Sequence, residues 1–368
     1  MPPAQNHYAL GSGVGAVTLL DEEQFEDEVE ARWFTAQIGR KRLKSLMKRS
    51  DAAGYRHFGV WLVLLIGSLV GIIATWFSWA TVPFLAVYGV MYAMSDHHAH
   101  ELSHGTPFKN RTVNEVLYHL NAFMTLHEAY YWRWSHTRHH TKPLIVGLDP
   151  EIAFQRPPKT WQMWLNFMNL HAGYGQIRLE TRIALSGKVT GDGTHFIPES
   201  ERGKVVRNSR IYVAIFVVTI VACVALKSIL PAVVIVTPRM WGGWFAQLFN
   251  VTQHAALPED IFDHRMSCRT VLLNPVYRFL YMNMNYHVEH HMFPMVPFHA
   301  LPRLHEAIKH DLPPANPSIL AGFREIVPAF LRQLRYEDYF VKRELPPTAK
   351  PYREMFHHAD RPAGEFRR

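Results

Sequence analysis

The chain has 368 residues, a formal net charge of +8 and only two cysteines, against 23 histidines. Two thiols cannot build a four-cysteine zinc or iron–sulfur site, and a basic balance with no nucleic-acid motif is weak ground for a nucleic-acid partner. A mean hydropathy of −0.10, in a chain that nevertheless carries long uncharged apolar runs, implies about four membrane spans with over half of the chain outside the bilayer.

Residues 1–30 are rich in Gly, Asp and Glu and read as a mobile segment. Residues 31–50 read as a basic amphipathic helix with Trp33, Phe34, Ile38, Leu43, Leu46 and Met47 on its apolar side, suited to a membrane surface or to packing on a cytoplasmic domain. Together residues 1–56 make a cytoplasmic N-terminal segment. Membrane spans are expected at about 57–76, 79–96, 208–227 and 229–252, the last disturbed by Arg239, which is costly at bilayer depth. Eight basic residues between Arg32 and Arg56 precede the first span, whereas the links after Phe77 and Lys227 are short and nearly uncharged. Two hairpins with both ends and both termini cytoplasmic account for this asymmetry, and no secretory leader is evident ahead of the first span. Residues 111–140 and 160–185 read as helical. Residues 141–160, with Pro143, Gly147, Pro150, Pro157 and Pro158, and residues 186–200 read as loops. Residues 301–368 form a cytoplasmic C-terminal segment of short helices, Pro-rich links and a charged tail. The expected fold is therefore an all-α integral membrane protein. Four transmembrane helices in two hairpins carry a cytoplasmic helical cap over residues 57–300, and the cap holds a histidine-rich di-metal site.

That site is read from histidine spacing. His100 and His104, then His136, His139 and His140, then His287, His290 and His291 stand at i, i+3 or i, i+4, and His254 follows Asn250 by four residues. Such spacing puts side chains on one helix face. Neutral imidazole is a common ligand of iron, zinc and copper, and nine imidazoles suit two ions of four or five ligands each. Every cluster follows a hairpin or lies between hairpins, so all fall on one side of the membrane. Asp96, Glu101, Glu128, Asp149, Glu259, Asp260 and Glu289 are candidates to accept the second ring N–H of ligating histidines, with Glu101 and Glu289 foremost because they lie inside boxes. His97 and His98, one turn before the first box, support it or the core around it. His100-Glu101-Leu102-Ser103-His104 also matches the HExxH pattern of metalloproteases, a reading that leaves six histidines unexplained.

The order His-Glu-Leu-Ser-His at 100–104, His-Thr-Arg-His-His at 136–140, Asn-Val-Thr-Gln-His at 250–254 and His-Val-Glu-His-His at 287–291 resembles the membrane-bound fatty acid desaturase family, bacterial type, over about residues 57–300. The resemblance implies a non-haem di-iron centre that uses O₂ to attack an unactivated C–H bond. His100, His104, His136, His139, His140, His254, His287, His290 and His291 would be its ligands, and Asn250 would hold a metal through water. It also implies an electron source. The His-Pro-Gly-Gly motif of cytochrome b5 fusions and the four cysteines of rubredoxin fusions are absent from the sequence, so a separate donor is expected, a ferredoxin with its reductase.

The leading reading is a fatty acyl desaturase in a bacterial inner membrane, with its active site cytoplasmic and an acyl tunnel near Tyr92, Trp132, Trp241 and Trp244. An alternative keeps the di-iron site and hydroxylates or oxidatively demethylates a lipid or small molecule. A membrane metal carrier is disfavoured, because its ligands would sit in mid-span rather than past the span ends.

Overall fold

The computed structural model describes residues 33–347. The acidic N-terminal stretch, Arg32 and the end of the charged tail lie outside the described residues. Those described are helical and contain two isolated bridges, Thr270 with Tyr286 and Val271 with Asn316, but no strand.

In chain order the helices are α1 (Arg40–Leu46), α2 (Asp51–Thr75), α3 (Thr81–Ala93), α4 (Ser95–Ser103), α5 (Arg111–Met124), α6 (Ala129–Thr141), α7 (Thr160–Phe167), α8 (Leu170–Ser186) and α9 (Gly193–Phe196). They continue as α10 (Glu199–Ala225), α11 (Leu230–Ile235), α12 (Pro238–His254), α13 (His264–Ser267), α14 (Pro275–Leu280), α15 (His287–Met292), α16 (Leu301–Ile308) and α17 (Ile319–Gln333). Polar side chains set many of the starts. The Ser50 hydroxyl accepts the Ala53 N–H, Asn110 that of Val113, and Asn274 that of Tyr277, each satisfying a donor the first turn leaves over. The expected helix 111–140 is two helices, because Leu126 turns left-handed (φ 60°) and the Glu128 carboxylate restarts the helix by accepting the Tyr130 and Tyr131 N–H groups at 3.2 and 2.7 Å.

Two stretches among the described residues, Arg40–Thr75 and Glu199–Ala225, are long and apolar enough to cross a membrane. Their faces are apolar outward: Val63 is 71% exposed, Val218 66% and Val224 74%, which suits hydrocarbon rather than water. The expected span 79–96 falls on α3, which runs on through Met94 into α4. The expected span 229–252 is divided into α11 and α12. Pro238 has no N–H to offer the Val234 carbonyl, and the Tyr88 hydroxyl donates to that carbonyl instead, at 2.7 Å. Arg239, buried on α12, is offset by Asp96 at 3.1 Å.

The chain divides into two compact units. One comprises described residues up to Lys48, Ser135–Thr160 and Leu248 onward; the other comprises Arg49–Trp134 and Trp161–Gln247. In the second unit the Trp61 indole donates to the Met91 carbonyl at 2.7 Å, tying α2 to α3, and Arg210 of α10 donates to Ala184 of α8 at 3.2 Å. In the first unit a core of Leu46, Cys268, Val288, Val296, Leu301, Leu304 and Ile308 lies around α15 and α16, with Phe34, Ile38 and Leu43 packed on it. The expected amphipathic helix 31–50 is thus shortened to α1. Residues 33–39 are not helical, because their groups are engaged elsewhere: the Phe34 N–H donates to the Phe262 carbonyl at 3.2 Å, and Trp33 packs edge-on against Phe262. The apolar side of this segment faces the first unit's core.

Candidate metal centre

The first unit gathers seven of the nine clustered imidazoles. His136, His139 and His140 stand on the last turns of α6, His254 closes α12, and His287, His290 and His291 fill one side of α15. Their Nε2 atoms converge. His136 and His140 are 3.0 Å apart, His140 and His290 3.2 Å, His254 and His287 2.9 Å, and His287 and His291 3.1 Å. Two nitrogens bound to one ion at about 2.0–2.1 Å stand about 2.9–3.4 Å apart. Hydrogen bonding fits these contacts poorly. A ring nitrogen either donates or accepts, yet His140 Nε2 and His287 Nε2 each meet two others. A cation between them satisfies all of these lone pairs at once, so the donor set fits a metal. One nitrogen each from His136, His140 and His290, and one each from His139, His254 and His291, lie within 4.8 Å of one another in their respective groups. The first unit therefore holds two imidazole triads, with His287 against two members of the second.

The outward ring nitrogens are held from behind. His136 Nδ1 meets Glu151 Oε2 at 3.0 Å, His139 Nδ1 meets the Asp149 carboxylate at 2.9 Å, and His254 Nδ1 meets the Ser267 carbonyl at 2.8 Å. Each acceptor fixes the proton on Nδ1 and leaves the Nε2 lone pair facing inward, the arrangement that orients metal-binding histidines. Asp149 is itself held by the backbone N–H groups of Leu144 and Glu151, both at 2.8 Å. Burial holds His287, His290 and His291 well below the usual imidazole value, so they stand neutral, the state that binds metals. Burial alone would also lower His139, but the adjacent Asp149 outweighs it and raises that ring. Burial alone would raise Glu151; the His136 ring outweighs it and draws the carboxyl down to about 2.

His100 and His104 belong to the second unit, one turn apart at the end of α4, with ring centroids 5.8 Å apart. Glu101 between them is buried and accepts the Thr106 hydroxyl.

A family profile for fatty acid desaturases matches residues 74–323. The chain belongs to the fatty acid desaturase family. No curated protein matches the chain. Membership and the imidazole clusters together make it a desaturase/hydroxylase-type oxidoreductase with a histidine metal site.

Of the carboxylates nominated from this desaturase-family sequence, Asp149 meets a ligand-type ring. Glu289 is engaged by Thr270 at 2.6 Å and by His305, bracing α15 from beneath. Glu128 caps α6, Asp96 pairs with Arg239, Glu259 with Arg156 at 3.4 Å, and Asp260 accepts the Val146 N–H at 2.9 Å. Glu151 and the Ser267 carbonyl were not foreseen. The Asp-Pro-Glu run at 149–151 was the available signal for Glu151, and a backbone acceptor leaves none. His264, stacked on Trp33 and 5.5 Å from the His291 ring, was missed because no second histidine stands three or four residues from it. In the second unit His98 joins His57 (Nε2 to Nε2, 3.0 Å) and Asn121 (3.2 Å), and His97 is buried. Asn250 lies one turn before His254 on α12. Among the tunnel candidates, Tyr92 donates its hydroxyl to the Ile235 carbonyl, Trp132 stacks on His127 at 5.2 Å, Trp241 packs by Gly89 and Trp244 is 42% exposed.

Proposed function

We propose that the chain is a membrane-bound, O₂-dependent di-iron oxidoreductase that desaturates a fatty acyl chain. The carrying observation is the pair of imidazole triads in the first unit, each with Nε2 atoms turned inward. Two triads argue for two ions, and an all-imidazole set leaves the ions their positive charge. His136, His139, His140, His254, His287, His290 and His291 would hold them, with Asn250 acting through water. When bound, the iron pair supplies the activation of O₂ needed to remove hydrogen from an unactivated C–H bond. The chain's own part is to keep His287, His290 and His291 neutral by burial and to orient the others: Asp149, Glu151 and the Ser267 carbonyl hold the protons of His139, His136 and His254 on Nδ1. The engagement of Glu101 by Thr106 disfavours its use as the free base of a protease.

The outward apolar faces of α2 and α10 support membrane residence. In the topology we propose, α3–α4 and α11–α12 serve as shorter returns in two hairpins, and the basic residues before α2 keep the site on the cytoplasmic side of a bacterial inner membrane. Electrons would come from a separate ferredoxin with its reductase.

The test is a mass-spectrometric profile of lipids and small metabolites from cells expressing the wild type or His290→Ala, with iron and a ferredoxin–reductase pair supplied. Acyl chains short of two hydrogens in the wild type alone would support the desaturase. Products that gain one oxygen or lose a methyl group would move it to hydroxylation or demethylation, and full activity in His290→Ala would sink the ligand assignment.

A further inference from the structure

Beside the two triads the first unit carries a donor set of different chemistry. His264 of α13, Cys268 and His291 of α15 each bring one ligand atom within 4.8 Å of the others, and all three are buried. One helical turn sets the first two on the same side, with the Cys268 N–H donating to the His264 carbonyl at 3.0 Å. The turn is braced. The Asp263 carboxylate accepts the Arg265 N–H at 2.9 Å, and Trp33 lies flat on the His264 ring at 4.4 Å and 7°. Nδ1 of His264 is buried without a hydrogen-bond partner, as is Nδ1 of His291. A buried nitrogen in that condition has lost its hydration with nothing in return unless something meets it. A thiolate and two imidazoles form a soft set, which selects zinc-like cations over oxygen-seeking ones. Metal–sulfur and metal–nitrogen distances of about 2.3 and 2.0–2.1 Å require the three side chains to draw together around the ion.

We propose that His264, Cys268 and His291 form a capture site for a thiophilic divalent cation, zinc or cadmium, with water in the fourth position. As the metal–sulfur bond forms, the Cys268 proton passes to solvent, and the ion exchanges water for the three side chains. His291 also belongs to the triad with His139 and His254. Because the two sites share the His291 ring, the charge of an ion in the capture site opposes occupation of the triad. The inference does not depend on the desaturase reading.

The test uses the full chain in detergent, treated with chelator and titrated with cadmium alone, reading the thiolate-to-cadmium absorption in the ultraviolet. The imidazole triads give no such band, and the chain's other thiol, Cys223, is the control. The band is expected in the wild type and in Cys223→Ser at one cadmium per chain. It should be lost in Cys268→Ser and in Cys268→Ala, the second variant covering a folding defect in the first. His264→Ala should need at least about tenfold more cadmium. A band that survives in both Cys268 variants, a wild type without one, or a His264→Ala titration that overlays the wild type would overturn the site. An absence of acyl products in cells would overturn the proposed function and leave the cadmium result standing.

Discussion

The Asp149 carboxylate stands 2.9 Å from His139 Nδ1 and also accepts the backbone N–H groups of Leu144 and Glu151. One acid thus sets the tautomer of a ring in the metal centre and the path of the loop that delivers Glu151 to His136. Asp149→Asn keeps the size but has one acceptor oxygen for three donors. Metal affinity should fall by about 10–100-fold, with the helical circular dichroism unchanged. Metal content after dialysis against graded chelator measures this, and wild-type retention would remove Asp149 from the support of His139.

The ligand-type rings were legible because helix geometry makes one-face spacing visible in a sequence: His287, His290 and His291 are one side of a single short helix. The acceptors behind them were legible only where an acid lay in a neighbouring loop, as with Asp149. The Ser267 carbonyl has no residue-type signature, and Glu289 sits inside a box yet is engaged by His305 and Thr270. The division at Pro238 was implicit in the sequence. Its consequence, the Tyr88 hydroxyl at the Val234 carbonyl, depends on a residue almost 150 positions away. The shortening of the 31–50 helix has the same origin, since Phe262 lies far along the chain from Phe34.

Glu128 links pH to stability. Burial pushes its carboxyl up to about 7 from 4.5, against the N–H of Tyr131, the Asn208 amide and the N–H of Tyr130, which favour the charged form. Between those two values the folded protein keeps a proton that the unfolded chain has lost. Stability is therefore fully present below about 4.5 and falls as pH rises through about 7, by on the order of 3 kcal/mol. Glu180, also pushed up by burial, adds a slope of the same sign. Glu128→Gln should flatten thermal midpoints measured in detergent across this window, and an unchanged slope would place the effect elsewhere.

Arg265 is wholly buried, donates to Asp263 at 2.7 Å and to Asp311 at 3.1 Å, and lies over the Phe34 ring at 3.3 Å from its centroid. Removing it strands two acids, so Arg265→Met should cost about 3–5 kcal/mol. Arg265→Lys should recover little, because an ammonium cannot fork between two carboxylates while lying flat on a ring. Thermal melting of the two variants should give nearly equal losses; full recovery by lysine would reduce the network to a simple charge.

The last prediction separates two glycines by what surrounds them. On α12 a Cβ at Gly242 would stand 2.4 Å from the Gly89 carbonyl oxygen of α3, and nothing about a backbone atom can rotate aside. On α2 a Cβ at Gly67 meets nothing within 4 Å. Close backbone approach through small residues is how helices pack where lipid supplies no hydrophobic drive between them. Gly242→Ala must push α3 and α12 apart and should cost at least about 1–3 kcal/mol. Gly67→Ala should instead gain up to about 1 kcal/mol from helix propensity. Melting midpoints of the two variants in one detergent should move in opposite directions. If both fell alike, Gly242 would matter for flexibility rather than for the crossing.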